Sequence, residues 1–131
     1  MFNKRREKEK AMLLAIPSES DTGLSSVRSG HFGHSAYFTL VTIEDGELKN
    51  VESVKNVDHD VAGCGGVIDF AISLKIDAIL AAGMGVPPFT RFTNGGIDVY
   101  LDQTNPTVGA AVENFIAGNV VKMELEQACR H

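Results

Sequence analysis

The sequence predicts one α/β domain built on a mixed five-stranded sheet, and three observations favour this fold class. Two short apolar runs, residues 12–16 and 77–82, are typical of strands buried on both faces. Residues 36–54 form two strand-like runs on either side of Asp45-Gly46, which is a strong hairpin signal. In the second half of the chain, apolar residues recur at three- and four-residue spacing, which indicates helices between the strands.

The first half of the chain predicts three strands in a meander. Strand 1 covers residues 12–16 and ends before Pro17, and a loop rich in Ser, Asp, Thr and Gly follows it as far as Gly30. Strand 2 covers residues 36–43, and strand 3 returns over residues 48–54. The Lys, Asn and Glu side chains of strand 3 favour an edge position, because charge there discourages further strand pairing.

The second half alternates helices and strands. The first helix is entered through residues 63–66, Gly-Cys-Gly-Gly, and strand 4 covers residues 77–82. A short helix follows strand 4. Its first turn can hold Pro87-Pro88, because that turn needs no backbone N–H donors. Asn94-Gly95 ends the helix, since both residues tolerate the left-handed conformation of a C-terminal cap. Strand 5 lies near residues 97–101. The last helix opens at Asn105-Pro106 and stops at Gly118.

These elements predict a sheet of order 3-2-1-4-5 with helices on both faces, in which strand 2 alone is antiparallel. The order follows because parallel strands joined through a helix cross over right-handedly. The carboxyl ends of strands 1, 3 and 4 then share one edge, where loops 17–35, 55–66 and 83–87 converge beside the switch between strands 1 and 4. Four residues of strands 1 and 4 are expected to be fully buried: Leu14, Ile16, Ile79 and Leu80.

Composition and charge exclude several classes of protein. The 131 residues are 44% apolar and 22% charged, and residues 1–10 hold five of the 12 Lys and Arg. The acidic remainder has no basic cluster for a phosphate backbone, so we expect no nucleic-acid binding. No apolar run reaches the roughly 20 residues of a membrane span, and we expect a cytoplasmic protein. The predicted layout is a flexible charged segment at 1–10, one domain at 11–120 and a tail at 121–131.

The converging loops bring together side chains that bind soft metals. The first loop ends in His31 and His34, the loop after strand 3 holds His59 and Cys64, and Met84 stands between two glycines after strand 4. Imidazole and thiolate suit zinc, copper and iron–sulfur chemistry rather than magnesium or calcium. Flanking glycines allow close backbone approach, and a helix N-terminus favours the thiolate. A surface histidine and a packed cysteine are the ordinary alternatives for these residues.

The order of these motifs resembles the dinitrogenase iron–molybdenum cofactor biosynthesis family. The resemblance covers residues 12–118. It includes nitrogenase cofactor carriers, the C-terminal domain of the cofactor-assembly radical enzyme and the molybdenum–copper orange protein. It is carried by Ser-Gly-His-Phe-Gly-His at residues 29–34, Ile-Glu-Asp-Gly at 43–46, Ile-Leu-Ala-Ala-Gly-Met-Gly at 79–85 and Gly-Ile-Asp-Val-Tyr at 96–100. Together the His-Phe-Gly and Gly-Met-Gly elements are fairly specific.

The resemblance implies a three-layer α/β/α fold of the ribonuclease H type and non-catalytic, non-covalent carriage of a metal–sulfur cluster, which can dissociate on purification. It also implies cluster donor and acceptor proteins as partners, with the carrier a monomer or weak homodimer. The family's His-Phe-Gly histidine falls on His31. The expected cofactor-binding residues are Arg28, His31, Phe32, Gly33, Gly65, Gly83, Met84 and Gly85, and the expected metal ligands are His31, His59 and Cys64.

An anionic cluster needs local positive charge, because residues 11–131 carry a net charge of −8. Arg28, Lys55 and Arg91 fall near the predicted edge, and backbone N–H groups at the two glycine-flanked helix starts add partial positive charge. Pairing with surface acids is an equal alternative for Arg28 and Arg91.

Enzymatic alternatives lack their motifs. Strand 1 is Met-Leu-Leu-Ala-Ile, without the carboxylate that a two-metal nuclease of this fold would place there. Gly83-Met-Gly-Val-Pro-Pro is not a dinucleotide fingerprint, and the chain has no Gly-x-Ser-x-Gly elbow. We therefore expect no catalysis. The remaining alternative is a protein-interaction or regulatory domain of the same fold without a cluster.

Overall fold

A computed structural model describes residues 11–30, 35–57 and 59–124 of the chain, with only the backbone given for residues 59–64. The three strands of the meander lie in residues 11–30 and 35–57, and the alternating helices and strands lie in residues 59–124. In chain order the elements are β1 (Ala11–Ser18), a short 3-10 turn (Gly23–Ser25), β2 (Tyr37–Glu44), β3 (Glu47–Lys55), α1 (His59–Ser73), β4 (Ala78–Ala81), α2 (Val86–Asn94), β5 (Asp98–Leu101), α3 (Val108–Ile116) and β6 (Val121–Lys122).

The strands form one mixed sheet of order β3-β2-β1-β4-β5-β6. The first five positions confirm the predicted order, and the pairings of β1 with β2 and of β1 with β4 are antiparallel and parallel as expected. The prediction of five strands was wrong by one, because β6 adds to β5 in antiparallel register. The added strand has only two exposed residues and no alternation, so the sequence pattern did not reveal it. Val121 and Lys122, which fall in the predicted tail, therefore pair with the sheet.

Helices cover both faces of the sheet, which gives the predicted three layers. Successive side chains of a strand point to opposite faces of the sheet, so the core has two parts. Leu14 and Ile16 belong to the part on one face, and Ala15 belongs to the part on the other. One face packs against α1 and α2 through Val67, Ile68, Ala71, Phe89 and Phe92. The other packs against α3 through Val108, Ala111 and Val112. The four residues expected to be fully buried, Leu14, Ile16, Ile79 and Leu80, are each 0% exposed.

The hairpin between β2 and β3 turns at the two residues that the sequence indicated. Asp45 and Gly46 have φ angles of 56° and 78°, the left-handed pair that a two-residue hairpin turn requires. β3 pairs only with β2 and so forms the edge of the sheet, with mostly exposed side chains. Both predictions for this hairpin are confirmed.

Three element boundaries differ from the predicted ones. β1 continues through Pro17 to Ser18, because Pro17 still accepts a hydrogen bond through its carbonyl, from the N–H of Ser29 at 2.9 Å. α2 does carry its two prolines in the first turn, but Gly96, with φ 81°, and not Asn94-Gly95, is the left-handed residue after it. The last helix begins at Val108 and not at Asn105-Pro106, because Thr107 caps it by accepting a hydrogen bond from the Ala110 N–H.

The start of α1 is the fourth difference. The predicted loop 55–66 is short, since the helix begins at His59 and includes residues 63–66. Glycine lowers helix stability by about 1 kcal/mol per residue but does not forbid the helix, and helix formation propagates cooperatively from packed turns. Val67 and Ala71, farther along α1, are both fully buried against the sheet and anchor those turns.

The helices of the described ranges are short. The longest, α1, has 15 residues, and none combines the length and apolar character that a bilayer crossing requires. The charged segment 1–10 lies outside the described residues.

Candidate functional site

A crevice lies at the C-terminal edge of the sheet, where β1, β4 and β5 end side by side. The chain after β1 folds back so that residues 26–29 lie between the end of β1 and residues 106–108. The Ser29 N–H donates to the Pro17 carbonyl at 2.9 Å on one side, and the Arg28 N–H donates to the Pro106 carbonyl at 2.9 Å on the other. The end of the first loop is thereby fixed at the predicted switch point between β1 and β4.

The crevice contains a cavity of about 230 Å³. Its walls come from the loops after β1, β4 and β5, which is where open α/β sheets bind ligands. The lining residues are Val27, Arg28, Ser29, Gly30, Ala82, Asp102, Gln103, Asn105 and Pro106.

Arg28 is the cationic group of this cavity. Its side chain is 6% exposed, and its Nη1 donates to the Asn105 carbonyl at 2.9 Å. The same Nη1 lies 3.9 Å from Asp102 Oδ1. Burial lowers the pKa of the Arg28 guanidinium, and the attraction of Asp102 opposes that shift only in part. The surface pairing considered for Arg28 is therefore not what the structure has, since the residue is buried at the crevice.

Asp102 is the anionic group, and its carboxylate is almost saturated with hydrogen bonds. Oδ1 accepts from the Thr104 N–H at 3.0 Å, the Thr104 hydroxyl at 3.1 Å and the Asn105 N–H at 3.3 Å. Oδ2 accepts from Asn105 Nδ2 at 2.7 Å and Asn114 Nδ2 at 3.4 Å. Burial raises the pKa of the Asp102 carboxyl, but the hydrogen bonds from Asn105 and Thr104 outweigh it, so that the pKa lies below its ordinary value.

The His-Phe-Gly-His segment lies in the sequence between Gly30 at the cavity and Ser35 beside Asn56. His31, Phe32, Gly33 and His34 lie outside the described residues. Gly30, which precedes them in sequence, lines the cavity. Ser35, which follows them, is 4% exposed and accepts a hydrogen bond at its carbonyl from Asn56 Nδ2 at 2.9 Å. The residue that follows the predicted metal contacts in sequence is therefore buried and hydrogen-bonded.

The Gly-Met-Gly segment connects β4 to α2 directly after Ala82 of the cavity wall. Met84 is 4% exposed and belongs to the hydrophobic core beneath α1 and α2, so its thioether is a packing group. Gly85 is the N-cap of α2. The helix start is a weak source of backbone donors, because Pro87 and Pro88 have no N–H and the Phe89 N–H already donates to the Gly85 carbonyl.

Gly65 and Arg91 lie together on the outer side of α1 and α2. Arg91 forms an ion pair with Asp69 through Nη2, and its Nη1 lies 3.5 Å from the Gly65 carbonyl oxygen. The Arg91 and Asp69 side chains are exposed. Arg91 is thus engaged in the surface pairing that the sequence analysis considered as its alternative role.

The remaining predicted ligands lie on α1. His59 is its first residue and Cys64 its sixth, so Cys64 does not occupy the helix N-terminus as predicted. Dipole stabilisation of a thiolate falls off beyond the first turn, which removes that argument for Cys64. The side chains of both residues lie outside the described part of the structure. Among the side chains that it describes, no three His, Cys, Asp or Glu residues group as a metal site.

The loop after β5 was not among the loops that the sequence predicted to converge at this edge. It supplies Asp102 and Asn105, because β5 is parallel to β1 and ends at the same sheet edge. The signal was present as Asp-Gln-Thr-Asn-Pro at residues 102–106, a turn-forming run with a carboxylate directly after a strand.

The chain is similar to a known protein and to solved structures over most of their length. The uncharacterized protein MJ0580 of Methanocaldococcus jannaschii is 31% identical over 121 residues, which are 89% of this chain and 96% of that protein. The crystal structure of PH0822 superposes with a TM-score of 0.71 at 32% identity, covering 88% of this chain and 98% of that one. The apo form of the orange protein from Desulfovibrio gigas has a TM-score of 0.68 at 22% identity, covering 86% and 97%, and so shares the fold.

The family profile described as dinitrogenase iron–molybdenum cofactor matches residues 12–118, nearly the whole of the described domain. The match spans the meander, the crevice and all three helices. The chain therefore belongs to the dinitrogenase iron–molybdenum cofactor family.

Proposed function

We propose that this protein is a small non-catalytic carrier that binds a metal–sulfur cluster as cargo at the crevice. The cargo is the iron–molybdenum cofactor, its precursor or a related molybdenum, iron or copper cluster. The observation that carries the proposal is the attachment of residues 31–34 between Gly30 at the cavity and Ser35 beside Asn56. Family membership supports the same assignment.

His31 is the principal metal contact in this proposal, with His59 and Cys64 as further ligands. Imidazole and thiolate donors suit iron, copper and sulfide-rich clusters. Gly30 lines the cavity, and among the described residues other than Gly30 and its chain neighbours, none has a heavy atom within 4 Å of the position that a Cβ would take there. A cargo can therefore approach the backbone closely at the residue before His31.

The charge at the crevice also suits an anionic cargo. Arg28 brings a buried cation, partly offset by Asp102 at 3.9 Å, into a domain whose residues 11–131 have a net charge of −8. Desolvation strengthens the attraction between that cation and a bound anion relative to the same pair in water. Cluster donor and acceptor proteins are the partners that such a carrier needs.

Anaerobic reconstitution tests the proposal. The wild type, purified without oxygen, is incubated separately with iron–sulfur, iron–molybdenum–sulfur and molybdenum–copper–sulfur clusters. It is then desalted and analysed for metal content and visible absorption. We expect near-stoichiometric retention of at least one cluster class. If none is retained, the alternative of a protein-interaction domain without a cluster replaces this proposal.

A further inference from the structure

The guanidinium of Arg28 is held by one end only. Its Nη1 donates to the Asn105 carbonyl at 2.9 Å and faces Asp102 Oδ1 at 3.9 Å. Nε and Nη2 are both buried, and neither has a hydrogen-bond partner among the residues that the structure describes. Buried N–H donors are almost always paired, so two unpaired donors on one side chain need an explanation.

The two unpaired atoms belong to the same edge of the guanidinium. Nε–H and one Nη2–H point in the same direction, and this edge forms the paired, parallel hydrogen bonds of bidentate anion recognition. The opposite side of the group, at Nη1, is already occupied by Asn105 and Asp102. The arrangement holds the guanidinium in place and leaves its bidentate edge available.

Arg28 also lines the cavity of about 230 Å³ at the carboxyl ends of β1, β4 and β5. A water molecule occupies about 30 Å³ of liquid, so the cavity has room for a small polyatomic ion with some water. Three of the other lining residues, Gly30, Ala82 and Pro106, have small side chains or none. The cavity therefore accommodates a ligand of oxyanion size.

We propose that this cavity binds an oxyanion, which presents two oxygen atoms of one anionic centre to Nε and Nη2 of Arg28. A tetrahedral ion such as phosphate or sulfate and a carboxylate share this chemistry. The Asp102 carboxylate does not compete for that edge, because its oxygens are bound by Thr104, Asn105 and Asn114. Asp102 lowers the net charge of the site, so recognition depends on the paired hydrogen bonds more than on charge.

This inference goes beyond the proposed cluster carriage and does not depend on it. The experiment therefore uses the full-length chain free of metal cluster. The side-chain Nε–H resonance of Arg28 is followed in two-dimensional ¹H–¹⁵N spectra during titration with phosphate, sulfate or acetate, and with chloride at matched ionic strength. The resonance is assigned in the wild type by through-bond correlation to the backbone of Arg28.

We expect a saturable shift with phosphate and sulfate, or with acetate, and the tighter ion identifies the tetrahedral or the carboxylate source. The Arg28→Lys variant keeps the positive charge but loses the bidentate edge, and its affinity for the ion, measured by calorimetry, should fall about tenfold or more. Arg91→Lys, at the exposed pair with Asp69, serves as the matched control and should bind as the wild type does.

Three results would overturn the inference. They are an unchanged Nε–H resonance, a shift that chloride reproduces, and equal ion affinity in Arg28→Lys and the wild type. Because the resonance is read in the wild type, a poorly folded Arg28→Lys variant leaves the test valid. A negative titration leaves cluster carriage standing, since that proposal is tested by metal retention.

Discussion

Asn56 Nδ2 donates a hydrogen bond to the Ser35 carbonyl oxygen at 2.9 Å, and both residues are buried. Asn56 directly follows β3, and Ser35 directly follows the His-Phe-Gly-His segment. The Asn56 N–H also donates to the Ala36 carbonyl at 2.9 Å. One side chain and its own backbone thus secure the far end of the segment that carries the proposed metal contact.

Replacing Asn56 should therefore weaken both the fold and the site. We expect Asn56→Ala to lower the free energy of unfolding by about 1–3 kcal/mol, because it removes the hydrogen bonds of the Asn56 side chain to the Ser35 carbonyl and the Val57 N–H. Cluster retention should fall as well, since the Ser35 anchor is lost. Urea unfolding and metal analysis measure the two effects. Asn50→Ala, at an exposed position of β3, is the control and should change little. An Asn56→Ala protein as stable as the wild type would contradict the anchoring role.

The proposed ligands predict a graded loss of cargo. We expect His31→Ala to reduce cluster retention about tenfold or more, with little change in the free energy of unfolding. Mutation of a residue that only supports a metal ligand lowers metal affinity about 10–100-fold, and loss of a ligand itself should cost at least as much. Cys64→Ser should reduce it further if the thiolate binds metal. His131→Ala and Cys129→Ser are the matched controls near the C-terminus. Equal metal content in the wild type, His31→Ala and Cys64→Ser would refute the site.

Two helical glycines predict opposite effects of the same substitution. At Gly65 in α1, an added Cβ would lie 3.5 Å from the end of the flexible Arg91 side chain, so Gly65→Ala should stabilise the protein by about 0.5–1 kcal/mol. At Gly109 in α3, it would lie 3.0 Å from the Leu24 backbone oxygen, so Gly109→Ala should destabilise it by about 1–3 kcal/mol. Thermal or urea unfolding of the two variants measures the difference, and the same sign for both would contradict the packing.

Metal retention by Gly65→Ala adds a functional result. If the cargo approaches the backbone at Gly65, this variant should lose cluster although it gains stability. Unchanged retention would remove Gly65 from the binding surface and leave the crevice proposal otherwise intact.

The lowered pKa of Asp102 predicts how its contribution depends on pH. The pKa of the Asp102 carboxyl is lower in the folded state than the value of about 3.9 expected in the unfolded state. The carboxylate therefore contributes its full stabilisation above about pH 3.9, and this stabilisation is lost as the pH falls through the folded-state pKa. Asp102→Asn should therefore cost about 1–3 kcal/mol at neutral pH, and the difference from the wild type should shrink below about pH 4. Urea unfolding at several pH values measures it.

Asp69→Asn provides the control for that series. Asp69 belongs to an exposed ion pair with Arg91, which contributes about 0–1 kcal/mol at most. A difference between wild type and Asp102→Asn that stays constant down to pH 3 would show that the carboxylate charge is not what stabilises the site.

Removal of residues 1–10 should leave the melting temperature nearly unchanged. This segment is charged and offers few apolar side chains beyond Met1 and Phe2. Calorimetry of the truncated and full-length chains measures the change. A decrease of several degrees would mean that the segment docks on the domain.

Local patterns in the sequence were sufficient for most of the fold. The Asp45-Gly46 turn, the alternation in β2 and the apolar run of β4 each depend on neighbouring residues, because strand pleating and turn conformation are local properties. Right-handed crossover then limited the order of the first five strands to the one observed. The same reasoning led to the crevice, since the carboxyl ends of parallel strands must share an edge.

Long-range packing decided the rest. Arg28 and Asp102 lie 74 positions apart in the sequence, and no local pattern indicates that their side chains meet in one buried site. The start of α1 at His59 and the pairing of β6 with β5 likewise depend on tertiary contacts, which stabilise a helix through glycines and a strand of two residues. The sequence by itself therefore determined the layers, the order of β1 to β5 and the sheet edge at which the crevice lies. Only the tertiary structure decided which charged groups face each other there, because burial and pairing are set by residues distant in the chain.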